Sequence, residues 1–526
     1  MPQDSPTQTI PPSNSVSRPL GNLEVFFKTL ADLGTPVNHE HWTVHLALRL
    51  RFVSSNGDSI DPEPYLRRAW QVVRRQVPAI GSTITSPSSA TSDTADPGDD
   101  KTERPRERLT VTPFDADAWI NDTFVVHHGR QGEDADTLFT SLRPSPTAMF
   151  YWLPVSSEVV IRSSHWRLDG IGLTKLAHSF LTALADVLRL GPDAPSLDAY
   201  TGKLPASSQP LPPCLEDLAR QVRLRDNRND NDKSKDNHSK GPVESHLELG
   251  ADELVAEFLR GVPSIGLPTR EGSAHSAPGA SARASTRLSA ADTARVTAAL
   301  RARDLSFTGA VHAAIARVTA RHPQHPLCKS YAAFFPINLR QSLAATAVVA
   351  EEELVFGLYF SGLPVCIDGM VPVPGGDGKG FDDVAREMTA VYRRDLTNFW
   401  KTPDGQVVSM LGLAEPYLAR TTALFSAPVP EGLPPVQTPD LSGLGRVETY
   451  LQREYGSGTG SGKVEVDDLW IATEMLNRSV QFHVWSWRDQ LNIAASFNKS
   501  FYDHEFVAEE LGSVVEELQT GLGVKL

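Results

Sequence analysis

Cysteine is scarce in this sequence, three in 526 residues. Cys214, Cys328 and Cys366 stand too far apart for a disulfide framework or a paired metal-ligand motif. Their odd number and separation fit a reducing compartment, so a cytoplasmic protein is expected. Long apolar runs are also missing, and no stretch reads as the roughly eighteen or more apolar residues that a membrane span requires. Positive charge is in deficit: 50 Lys and Arg against 64 Asp and Glu leave a formal net charge of −14. General nucleic-acid binding, which needs a concentrated basic face, is thereby disfavoured. Local basic groups could still hold a small anionic co-substrate. The opening MPQDSPTQTIPPSNSVSRPL lacks the basic flank and apolar core of a signal peptide and reads as a disordered leader.

What remains is the composition of a globular protein, with 40% hydrophobic and 22% charged residues. The length exceeds what one core usually organises, so two domains or two similar halves are expected. Polar, Ser-, Pro-, Gly- and Asn-rich stretches mark the joints, because they bury too little apolar surface to offset the entropy of ordering. They begin at Ser86, Asp226 and Glu271, with shorter breaks at VPVPGGDGKG from Val371 and GSGTGSGK from Gly456. The resulting division is 18–205 for an N-terminal half, 206–285 for a largely disordered crossover and 286–526 for a C-terminal half. A monomer is expected.

Each half mixes strands and helices. Leu23 to Leu33 and Leu173 to Leu190 carry apolar residues at helical spacing, the latter closed by Gly191-Pro192. His41 to Val53 alternates as a half-buried strand does, and SSEVVIRSSHW is rich in β-branched residues. Ser289 predicts an N-cap for a helix to about Arg303, with a second helix from Thr308 to Ala320. Strands are predicted at Ser330–Pro336, Leu354–Ile367, Ser479–Trp487 and LNIAASFN, and a last amphipathic helix from about Phe506 to Leu522. The fold class is α/β, or α+β.

One short segment carries chemistry. His165-Trp166-Arg167-Leu168-Asp169-Gly170 lies between a predicted strand and a predicted helix. A lone histidine at a strand end is ordinarily a satisfied structural group; Asp169 and Gly170, taken with the resemblance described below, reverse that reading. A neutral imidazole can take the proton of a hydroxyl as it attacks a carbonyl, because its pKa lies near working pH. Asp169 reads equally as the cap of the following helix and as the support of the catalytic turn. Gly170 is expected to relax the backbone where the chain leaves the strand. Other clusters are weaker. His127, His128 and Asp134 lack a third ligand at useful spacing, His322 and His325 with Cys328 read as a helix-exit turn, and no metal is expected. GSGTGSGK lacks the flanking strand and helix of a phosphate loop and reads as a linker. Trp470, Trp485 and Trp487 read mainly as core.

HWRLDG resembles the HxxxDG signature of the chloramphenicol-acetyltransferase-like superfamily. RPLGNLEVFFKTLADLGTPVNHEHWTVHLALRL, FFPINLR, and VDDLWIATEMLNRSVQFHVWSWRDQLNIAASFN followed by FYDHEF are most similar to its fungal trichothecene 15-O-acetyltransferase group. The resemblance runs from about Arg18 to the end of the chain. It implies two similar α/β halves with a tunnel between them and His165 at its middle as general base. It implies a charge partner for Asp169, for which Arg340 of PINLR is the candidate, and direct attack on an acyl-CoA without an acyl-enzyme. Acetyl-CoA or another acyl-CoA is then a co-substrate, with no bound cofactor and a small-molecule alcohol as acceptor. Where plant members carry DFGWG, this chain has Asp468-Leu469-Trp470-Ile471-Ala472. Asp468 and Trp470 are accordingly expected to support the fold and line the tunnel. Ser486 and Asn492 are candidates for stabilising the oxyanion.

The expected activity is CoA-dependent O-acylation, in the first instance O-acetylation, of a terpenoid or polyketide in fungal secondary metabolism. Two alternatives stay open. One is a condensation-type enzyme that forms amides or cyclises with a carrier-protein thioester; the other is a non-catalytic homologue that binds a metabolite.

Overall fold

The computed structural model describes residues 14–54, 60–86, 107–130, 132–200, 210–233, 244–349, 354, 356–372, 378–456 and 462–525. The first thirteen residues of the expected leader and much of the polar stretches from Ser86, Asp226, Val371 and Gly456 lie outside them; the end of that leader is ordered, as the strand Val16–Pro19 paired antiparallel with Arg108–Val111.

The strand that leads into the motif, Glu158–Ser163, is buried along its whole length. It occupies the interior of a six-stranded sheet, ordered Glu454–Tyr455, Gly462–Thr473, Val44–Ser54, Glu158–Ser163, Met149–Leu153, Phe124–Val126. A Val-Val-Ile run suits such a place because both of its faces are covered. Val44–Ser54 shows why it sits beside it: its first half is buried on both faces, and its second half turns Arg49 and Arg51 outward. Gly462–Thr473, more than 400 residues later in the sequence numbering, pairs antiparallel with Val44–Ser54 from Thr473 against Val44 to Gly462 against Ser54. A bulge between Val466 and Asp468 interrupts the register. Late sequence thus completes the sheet that holds the early motif.

A second sheet has four strands, ordered Asp440–Arg446, Gln481–Trp487, Gln490–Asn498, Ser281–Arg287. The first pair is parallel and the other two antiparallel. Two apolar cores follow from the two sheets. One gathers Leu46, Trp70, Phe150, Ile161, Leu173 and Phe180; the other gathers Val311, Phe335, Leu363, Phe482, Ile493 and Leu511. Trp470, Trp485 and Trp487 are all buried in the first.

Three further expectations differ from the structure. Inside 206–285 the described residues include helices at Leu215–Lys233 and Glu244–Leu259, in place of a largely disordered crossover. Leu215, Leu218, Leu247 and Leu254 supply the apolar contacts that polar composition concealed. The polar stretch from Glu271 ends in the strand Ser281–Arg287, whose small side chains bury Ser281, Ala282 and Ala284 against Gln490–Asn498. Finally, the helix Gly170–Leu190 is long and apolar enough to cross a membrane by length and composition, yet 72% of its most apolar stretch is buried inside the protein. Burial on nearly every side explains an apolar composition without lipid.

Candidate active site

Ser164 leaves the strand, and a turn closed by the Arg167 N–H on the Ser164 carbonyl (3.1 Å) carries His165. The Arg167 side chain fastens this turn from below. It lies 4.2 Å over the Trp166 ring and donates to the carbonyls of Ser82 (2.6 Å) and Pro146 (2.7 Å) and to the Ser163 hydroxyl (3.1 Å). Such convergent donors hold a turn that has no sheet partner of its own.

Asp169 caps the helix Gly170–Leu190, accepting the Gly172 N–H at 2.7 Å. The same carboxylate receives both ends of the Arg340 guanidinium, at 2.9 and 3.0 Å, and the Tyr359 N–H at 3.1 Å. Arg340 donates its Nε to the Leu354 carbonyl at 2.7 Å, and both side chains are almost fully buried. A buried, bidentate pair with further hydrogen bonds on each partner satisfies the conditions under which an ion pair survives desolvation. The cap and the charge partner foreseen for Asp169 are therefore one arrangement. It joins the motif to the segment that follows the strand Tyr331–Asn338.

Gly170 plays a different part from the expected one. It is the first residue of the helix and is absent from the positions of positive φ among the described residues. A Cβ there would stand 3.3 Å from Ile471 Cδ1, so the glycine permits close approach of the helix start to Gly462–Thr473.

The His165 ring is stacked on Phe27, with centroids 3.9 Å apart and planes 9° from parallel, and Phe360 lies tilted beside it at 5.7 Å. Nδ1 is shielded from solvent without a hydrogen-bond partner, and the residue lines the cavity described next. Burial pushes the imidazole down to about 4, while its own backbone and the Asp169 charge pull the other way. The ring is accordingly neutral, and able to accept a proton, through the neutral pH range.

His165 lines a cavity of about 190 Å³ that opens to solvent. Its walls come from residues 23–171 and from residues 334–483. Phe26, Phe27, Trp42, Phe334, Phe360 and Phe425 make one side aromatic. Asp440, Thr473, Gln481 and His483 form a polar pole. These residues were not foreseen: an aromatic residue in a helix and an Asp at a strand start carry no sequence signal of a cavity.

A separate polar cavity collects Asp468, Trp470 and Asn492, with Arg49, Arg283 and Arg287. Asp468 accepts from Arg287 at 2.6 Å, and Arg287 also donates to the Asn492 carbonyl oxygen at 2.6 Å. Arg283 lies 4.5 Å over the Trp470 ring. These contacts tie the two sheets together. Asn492 is thus engaged in structure and does not line the His165 cavity. Ser486 does not line it either, because it shares a strand face with Phe482 and Val484, opposite to Gln481 and His483. Among the described residues no group of three or more His, Cys, Asp or Glu could hold a metal ion. His127 faces Glu133 at 3.5 Å and His322 faces Glu510 at 3.1 Å.

No family model matches the chain. It is 31% identical over 526 residues, 99% of its length and 97% of the relative's, to "Loline biosynthesis cluster 1 transcription factor lolU1" of Epichloe uncinata. It is 25% identical over 511 residues to "Acetyltransferase pigO" of Monascus ruber, covering 97% and 96% of the two chains. Among solved structures it is similar to the TRI3 trichothecene 15-O-acetyltransferase of Fusarium sporotrichioides, with a TM-score of 0.70 and 15% identity over 98% and 97% of the two chains. The chain therefore belongs to the family of lolU1 and has the fold of the TRI3 acetyltransferase.

Proposed function

We propose that this protein is a CoA-dependent O-acyltransferase, in its simplest form an O-acetyltransferase, acting on a hydroxyl of a terpenoid or polyketide secondary metabolite. One observation carries the reading: an imidazole kept neutral by burial lines an aromatic-walled cavity. Relatives named as acetyltransferases support the reaction class.

In this scheme the acceptor hydroxyl and the thioester meet at His165. Nε2 takes the hydroxyl proton as the oxygen attacks the carbonyl, forming the C–O bond and a tetrahedral oxyanion. Collapse of the oxyanion breaks the C–S bond, and the imidazolium returns its proton to the departing thiolate. A base with a low proton affinity is weak before reaction. Charge appearing on the oxyanion strengthens it during reaction, as the buried Asp169 carboxylate does throughout. Asp169 and Arg340 hold the turn rather than relay the proton. The segments 18–205 and 286–526 each contribute a wall, in a reducing cytosol.

The printed name of lolU1 favours a second reading, regulation of transcription. A net charge of −14 disfavours that reading, and it has no use for an imidazole kept neutral on the wall of an aromatic cavity.

The test incubates purified protein with a panel of acyl-CoAs, a carrier-protein thioester and an extract of candidate alcohols, and follows product masses beside His165→Ala. Acylated alcohol from acyl-CoA, lost in His165→Ala, is the expected result. No product from wild type, or full turnover by the variant, overturns the proposal. Product from the carrier-bound donor alone would transfer the protein to the condensation class.

A further inference from the structure

The polar pole of the cavity has no task in the acyl transfer itself. Asp440 opens the strand Asp440–Arg446 and is held by its backbone N–H on the Val480 carbonyl, 3.2 Å away. Its neighbour in register on the parallel strand is Gln481. The Gln481 carbonyl oxygen receives the Thr473 hydroxyl, so the amide group of Gln481 is left to donate. That hydroxyl also lies 3.4 Å from His483 Nε2. The carboxyl of Asp440 has one oxygen, Oδ1, shielded from solvent without a hydrogen-bond partner.

Among the described residues no cation compensates this carboxyl. The groups around it are Gln481 and His483 on one strand, Thr473 on a second, Tyr331 on Tyr331–Asn338, Tyr392 on the helix Phe381–Tyr392 and His312 behind them. Burial drives His312 and His483 each down to about 3, so both are neutral. Tyr331 donates its hydroxyl to the Pro439 carbonyl at 2.7 Å and meets His312 Nε2 at 2.6 Å, and Tyr392 meets His312 Nδ1 at 3.1 Å. Burial raises the Asp440 carboxyl to about 7, with Gln481 favouring the charged form. A shielded carboxyl oxygen without a donor is costly, and a native structure keeps one where a ligand completes it.

We propose that Asp440, with Gln481 beside it, is a specificity-determining site that receives a hydrogen-bond donor, hydroxyl or ammonium, carried by the acceptor at a distance from the group being acylated. This rests on the acyl-transfer reading. The acceptor it describes is two-faced: an apolar, ring-rich body lies along Phe26, Trp42, Phe334 and Phe425, and one polar substituent points to Asp440. The aromatic side supplies affinity without direction, and the lone carboxyl fixes orientation.

The experiment uses the full chain with acetyl-CoA and three matched acceptor series: linear alkanols, the α,ω-diols of the same lengths, and the ω-dimethylamino alcohols. Wild type should prefer a diol or a dimethylamino alcohol over its alkanol by roughly tenfold to a hundredfold in kcat/KM, the size of a hydrogen bond to a charged group. Asp440→Leu should bring the three series together. Asp440→Asn, which preserves volume, should keep part of the diol preference and lose that for the amine. A preference for the amine that grows as pH rises through about 7 identifies an ammonium; a preference confined to the diol identifies a hydroxyl. No preference in wild type, or a preference that survives both substitutions, overturns the proposal. Calorimetric binding of the same compounds separates the two readings. If nothing is acetylated but diols or amines still bind in an Asp440-dependent way, the reaction falls and the site stands; equal binding of all three series sinks the site.

Discussion

Two cavities of this protein, the one lined by His165 and the one lined by Asp468, use the same raw materials for opposite ends. In the one beside Asp468 and Asn492, arginines are matched with carboxylates: Arg49 with Glu158 at 3.0 Å, Arg283 with Asp136 at 2.5 Å and Arg287 with Asp468 at 2.6 Å. In the one lined by His165, the ring's Nδ1 and the Oδ1 of the Asp440 carboxyl are shielded without a hydrogen-bond partner, among aromatic walls. Matched charges stabilise a seam; unmatched polar groups in a dry cavity store the capacity to bind or react. The pair that belongs to both descriptions, Asp169 with Arg340, lies at the edge of the reactive cavity and braces it.

The sharpest way to break this contrast is to remove one group from each cavity. His165→Ala should lower kcat by about 10²–10⁴-fold, the range for a general base. Ser486→Ala and Asn492→Ala should leave kcat within about twofold, a single neutral hydrogen bond at most being removed. A large kcat loss in Asn492→Ala would return the oxyanion role to the second cavity.

Stability sharpens it next. Asp169→Ala leaves the Arg340 guanidinium buried without its partner and should cost about 3–5 kcal/mol in urea unfolding. Asp468→Ala breaks a pair in which both side chains are a third or more exposed, and should cost about 0–1 kcal/mol. Equal costs would show that the seam, and not the motif turn, is the brace.

Acidity separates the two poles of the reactive cavity. Because burial lowers His165 to about 4, its neutral form persists on acidification until that point, and kcat/KM for a plain alkanol should hold its plateau down to about pH 4 and fall below it. An acid limb near the ordinary histidine value would mean that the ring is hydrated in the working enzyme. Any further inflection near pH 7 belongs to Asp440 and should vanish in Asp440→Leu.

These contrasts explain what could be read in advance. His165 and Asp169 are close in sequence, at the junction of a strand and a helix whose periodicities are strong, so their placement was legible. The helix at Leu173–Leu190 was expected and begins at Gly170 because Asp169 caps it. Arg340 needed the resemblance, since 171 residues separate it from Asp169 and no periodicity spans that distance. Phe27, Asp440 and Gln481 were not legible. Each reaches the cavity through tertiary packing alone: Phe27 through a helix laid across the imidazole, and the other two through a parallel strand pair. Ser486 was misplaced by choosing a residue type without its strand face. The helices at Leu215–Lys233 and Glu244–Leu259 were hidden because a few leucines anchor otherwise polar segments.

The smallest effect tests the finest of these distinctions, the role of Gly170. If glycine were there for backbone freedom, Gly170→Ala would be strained whatever its neighbours did. If it is there for approach, the added methyl meets only Ile471 Cδ1 at 3.3 Å and Leu444 Cδ2 at 3.6 Å, both ends of side chains that can turn. Alanine favours the helix over glycine, by less at a first residue than the interior value of about 1 kcal/mol, and the crowding offsets part of that gain. The net change in stability should therefore stay within about 0.5 kcal/mol. A double-mutant cycle with Ile471→Val, which retracts the crowding atom, should show Gly170→Ala becoming more favourable by a few tenths of a kcal/mol, roughly the resolution of such cycles. The same cycle read in KM would report on the cavity wall, since Gly170, Leu444 and Ile471 all line it. An unchanged, large penalty in both backgrounds would restore the backbone role that the sequence alone suggests.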